Sequence, residues 1–123
     1  MDRKEQKKLV KELIERIKIK NEAEEFRKGQ VYKEKTIFNG KYLSKEEENM
    51  LVALKDFIRL NPTLTKEEIM GILNANKKQF KFLLDCEARY SDFFISVTNS
   101  LGALKHRIAY DRRSDEVLAK KLP

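Results

Sequence analysis

Residues Leu64–Phe80, "LTKEEIMGILNANKKQF", decide how the chain is read, because two short helical patterns meet inside them at Asn74-Ala75-Asn76. "TKEE", Thr65 to Glu68, is a capping box. The threonine hydroxyl can accept an early backbone N–H while the glutamate reaches back to the threonine N–H. The helix it opens is short and spaces Ile69, Ile72 and Leu73 for burial. Asn76 is a good N-cap for a second helix, and Phe80 with Leu83 or Leu84 gives that helix a buried face. The arrangement leaves Lys77, Lys78 and Gln79 at the start of the second helix and Lys81 one turn on.

The stretch "EIMGILNANKKQFKFLL" resembles, without gaps, the helix-turn-helix pattern of prokaryotic and phage DNA-binding proteins. Ile69 and Leu73 match its two buried aliphatic positions. Asn74 stands where that pattern usually has a glycine in the left-handed conformation, a region asparagine tolerates. Ala75 matches the small residue that plugs the corner. The resemblance implies that Lys77, Lys78, Gln79 and Lys81 face a DNA major groove, with Lys66 and the Arg112-Arg113 pair near phosphates. Gln can pair bidentately with adenine, and Lys can reach guanine or a phosphate. The competing reading is a corner used only for packing.

Upstream, "SKEE" from Ser44 is a second capping box, followed by Met50, Leu51, Leu54, Phe57 and Ile58 at helical spacing. Pro62 disfavours helical geometry at Asn61 and stops that helix near Leu60. Before it, Asn39-Gly40 lies between "TIF" and "KYL". That is a strong hairpin signal, and it predicts a short hairpin or ordered loop near residues 36–43. Residues 2–28 read as one amphipathic helix with Leu9, Val10, Leu13, Ile14 and Ile17 on its stripe. Phe26 extends the stripe, Ile19 lies off it, and Gly29 follows the end. This helix either packs on its own domain or pairs with a partner protein.

Downstream, Tyr90, Phe94, Val97, Leu101, Leu104 and Ile108 follow one another at spacings of three and four, a heptad seam with Ser91 as a candidate cap. Phe93 and Ile95 fall off the seam. The seam is either a core helix or an oligomerisation helix, and a dimer or higher cyclic oligomer is the expectation. A short helix-turn-helix domain followed by such a helix resembles the small subunit of phage terminase. The resemblance implies recognition of a packaging site and ring formation. The tail holds Lys105, His106, Arg107, Arg112 and Arg113, suited either to phosphates or to a helix C-terminus.

The formal charge is +7, distributed unevenly. Residues 1–43 carry 13 Lys/Arg against 8 Asp/Glu, residues 44–88 carry 7 against 8, and residues 89–123 carry 7 against 4. Basic ends around a near-neutral middle favour a polyanion. With 4 Gly and 2 Pro in 123 residues, helix is favoured over a many-stranded fold. The expected fold is all-α: a bundle of about five helices with a helix-turn-helix corner and at most one small hairpin. The expected division is a helix or arm over 1–30, a loop or hairpin over 31–43, a helix-turn-helix domain over 44–88, and a heptad-patterned helix with basic tail over 89–123. One Cys86 and one His106 argue against a Cys/His-rich zinc site, and no phosphate-binding or nucleophile-elbow motif occurs. Neither an enzyme nor a cofactor is expected. No apolar run reaches bilayer length, and "MDRKEQKKLV" has no signal-peptide stretch behind it. The sequence thus predicts a cytoplasmic, non-enzymatic protein that binds double-stranded DNA, with a helical adaptor for a protein partner as the alternative.

Overall fold

Both capping boxes close. Glu47 N–H donates to Ser44 Oγ at 3.1 Å and Ser44 N–H to Glu47 Oε1 at 3.0 Å. Glu68 N–H donates to Thr65 Oγ1 and Thr65 N–H to Glu68 Oε1, each at 3.1 Å. These boxes start α2 (Lys45–Leu60) and α3 (Lys66–Ala75). In α2, Glu46, Glu47 and Glu48 also sit at the positive end of the helix dipole. Asn61 ends α2 ahead of Pro62, and its side-chain amide donates to Phe57 O at 2.9 Å. The structure is a computed structural model that describes residues 1–26, 37–39 and 41–99. The expectations for Gly29, Gly40, Leu101, Leu104, Ile108, the Lys105–Arg107 cluster with His106, and Arg112-Arg113 lie outside the described residues.

The protein is an all-α bundle with a small hairpin. The remaining elements are α1 (Arg3–Phe26), β1 (Ile37–Phe38), β2 (Lys41–Tyr42), α4 (Lys81–Arg89) and α5, described over residues 93–99. α1 crosses α2 and α3, so it belongs to the body of the domain. Leu13 and Ile17 are buried, and Leu9, Val10 and Ile14 pack against the same core. Polar contacts fix its course. Gln6 Nε2 donates to Gly71 O on α3 at 3.0 Å. Toward its other end, Asn49 Nδ2 donates to Asn21 Oδ1 at 3.0 Å, and Lys20 Nζ lies 3.1 Å from Asp56 Oδ2, both partners on α2. A Cβ at position 71 would stand 3.3 Å from Gln6 Nε2, so the glycine admits α1 at close range.

The hairpin pairs antiparallel, Ile37 with Tyr42 and Phe38 with Lys41, and Asn39 takes a φ of 49° at its turn. Two strands of two residues are marginal by themselves. Phe38 holds them to the bundle: it is 2% exposed and meets Tyr90 and Phe93 edge-on, with ring centroids 6.3 and 6.0 Å away. One core cluster therefore runs from Leu13 through Leu51, Leu54, Phe57, Ile69, Ile72, Leu73, Phe80 and Leu83 to Val97.

Three local expectations are corrected. Asn74 is not left-handed: α3 continues through Ala75, and Asn39 and Asp92 are the described non-glycine residues with positive φ. Ala75 plugs nothing; it is exposed. α5 starts after Asp92 (φ 54°), whose carbonyl accepts Ser96 N–H at 2.9 Å, so the cap position is one residue beyond Ser91.

Candidate nucleic-acid interface

The corner between α3 and α4 turns on Asn76. Its N–H reaches back to Leu73 O at 3.4 Å and closes α3. Its own carbonyl accepts Phe80 N–H at 3.1 Å, and its Oδ1 accepts Gln79 N–H at 3.2 Å. The expected helix start at Lys77 is corrected: residues 76–80 make a single turn, and α4 begins at Lys81 behind Phe80, whose carbonyl accepts Leu84 N–H at 3.0 Å. Asn76, with φ −141° and ψ 72°, closes α3 and opens the turn that leads to Phe80, and it is not left-handed. Phe80 is fully buried and anchors the turn.

Around this anchor Lys77, Lys78, Gln79 and Lys81 are all exposed. They do not form one face. Lys77, Lys78 and Gln79 stand on the turn and Lys81 opens α4, and Gln79 is directed toward α1. There it lines a shallow groove of about 310 Å³ together with Ile14, Ile17, Lys18, Asn21 and Glu22 of α1. A base-reading role for Gln79 was expected from sequence; the fold turns this side chain toward α1.

Lys66 is set apart from the other expected contacts. Its Nζ lies 3.8 Å from Glu87 Oε1, near the far end of α4 and about 9 Å along that helix from Lys81. The lysine is 60% exposed, so the pair holds it weakly. Arg112 and Arg113 lie outside the described residues. Tyr90, Phe94 and Val97, the first half of the expected oligomerisation seam, pack into the core of the bundle, with Phe94 and Val97 buried. Phe93, off the seam, is buried with them, and Ile95 is exposed. Phe82 sits beside Phe38, Leu43 and Tyr90 at the hairpin, which accounts for an aromatic ring on the outer side of α4.

Sequence reading did not place α1 beside the corner. A second shallow groove, about 340 Å³, is lined by Arg3, Gln6, Lys7, Val10 and Lys11 of α1 and by Ala75 at the corner. The i, i+4 spacing of Arg3, Lys7 and Lys11 was visible in sequence. Their adjacency to the corner is a tertiary fact. Among the described residues no cluster of three or more His, Cys, Asp or Glu is placed to hold a metal ion, and no helix is long and apolar enough to cross a membrane. Cys86 is buried, and desolvation together with the Glu47 and Asp85 carboxylates pushes its thiol up to about 11. No family model, curated protein or solved structure matches the chain.

Proposed function

We propose that the protein binds double-stranded DNA through the α3–α4 corner, as a non-enzymatic recognition protein of helix-turn-helix type. The observation that supports this most is the exposure of Lys77 and Lys78 on the turn and of Lys81 at the start of α4, beside the hydrogen-bonded Asn76 and the buried Phe80. Three cations within five residues concentrate positive potential where a phosphate backbone or a groove edge can meet it. Packaging-site recognition and transcriptional regulation are the two uses to which the helix-turn-helix resemblance points. The reading carries a cytoplasmic location with it, and a homo-oligomer matching two half-sites by symmetry. The adaptor alternative relied on the apolar stripe of α1 or on the heptad seam; the described parts of both are largely taken up in the core.

The test is a fluorescence-anisotropy titration of a mixed-sequence duplex at low salt. The wild type binds. The Lys77→Ala/Lys78→Ala/Lys81→Ala variant melts at the same temperature and binds at least tenfold more weakly. Unchanged affinity in a folded triple variant would make the corner a packing device.

A further inference from the structure

We infer that α1 is the second half of the nucleic-acid surface, its Arg3, Lys7, Lys11 and Lys18 gripping the phosphate backbone of a duplex that meets the α3–α4 corner. The inference rests on the proposed DNA binding and adds to it the element that carries much of the affinity. Arg3, Lys7 and Lys11 line one groove with Ala75, and Lys18 lines the other with Gln79, so the four cations run along α1 beside these two corner residues. All four are exposed. Helical geometry puts them within roughly 80° of one another around α1 and spreads them over about 22 Å of its axis. Among the described residues no carboxylate forms an ion pair with any of them, whereas Arg16 and Lys20 elsewhere on α1 are tied to Glu12 and Asp56. Glu15 and Glu22 border the stripe.

The form of the stripe selects the partner. Duplex DNA offers one negative charge per roughly 1.7 Å of axis, so a straight row of cations finds phosphates without needing a register. An anionic membrane would also attract the row, but a helix that binds in a bilayer interface must bury its apolar face in lipid. The apolar face of α1, Leu13 and Ile17, is already buried against α2 and α3. Cations near Ala75 and Gln79 also explain how a corner with few base-reading side chains would hold DNA: phosphate contacts position, and the corner is left to probe the groove.

The experiment compares two charge-matched double variants of the full chain, Lys7→Ala/Lys11→Ala on the stripe and Lys41→Ala/Arg89→Ala beside the hairpin, in duplex titrations from 50 to 200 mM salt. Each neutralised phosphate contributes about 0.9 to the log–log salt slope, so the stripe variant should lose nearly two units of slope. Across that range the wild type should then lose about tenfold more affinity than the stripe variant. The Lys41/Arg89 variant should keep the wild-type slope. If the two double variants behave alike while the corner variant loses binding, α1 has no special part, and the DNA-binding reading stands without it. If the wild type binds no duplex, both fall. If the stripe variant loses binding to anionic phosphatidylserine vesicles but not to duplex, the row serves a membrane surface and the inference is overturned.

Discussion

Phe80 and Cys86 show how single side chains divide the labour of this corner. Phe80 is fully buried, so it should matter to folding and not directly to binding. Phe80→Ala should cost about 3–5 kcal/mol of stability, measured by urea unfolding, in the presence or absence of DNA. Cys86 is a buried structural thiol. Its thiol is raised from 9.0 to about 11, first by burial and then by Glu47 and Asp85. Between those values the unfolded chain gives up its thiol proton while the folded chain keeps it. The Cys86 contribution is therefore intact below pH 9 and is lost as pH rises toward 11. Urea unfolding of wild type and Cys86→Ser across that range should show the wild type losing stability more steeply with pH. Glu68 works in the opposite sense: hydrogen bonds from the Thr65 backbone and side chain lower its carboxyl below the usual value, so the cap it closes weakens as pH falls through that lowered value. Asn74 and Asn76 mark the limit of residue-level reading. Both suit a turn, and local preference does not say which one makes it. The outcome went to Asn76 because its backbone closes α3 while its side chain opens the next turn.

At the scale of elements, the helices were legible because their signals are local. The capping boxes at Ser44 and Thr65 and the stop at Pro62 each act within a few residues, and α2 and α3 begin where those signals predict. The hairpin was legible in its turn residues but not in its anchor. Asn39 takes the expected positive φ, yet the pairing endures because Phe38 reaches Tyr90 and Phe93 about fifty residues away. The role of α1 depends on the same kind of distant contact. Its stripe could have served a partner or its own domain; the hydrogen bond from Gln6 to Gly71 and the burial of Leu13 assign it to its own domain. Leu13→Ala should accordingly cost about 2–5 kcal/mol. The measurement is chemical denaturation of the whole protein. A loss under 1 kcal/mol would mean that α1 is an appended arm.

Over the whole molecule, charge and packing act on the same helix. α1 gives one side to the core and leaves Arg3, Lys7, Lys11 and Lys18 on another, beside the corner. The net charge of +7 pointed toward a polyanion, and the sequence named the corner lysines. It did not name the α1 row as their neighbour, because no local pattern encodes which way one helix crosses another. The most direct test is a titration of isotopically labelled protein with a short duplex, followed through backbone amide shifts in NMR spectra. The account predicts that the largest shifts cluster at residues 77–81 and along the Arg3–Lys18 row, while the hairpin and the exposed side of α5 around Ile95 stay still. Shifts centred on the hairpin or α5, or none at saturating duplex, would contradict it.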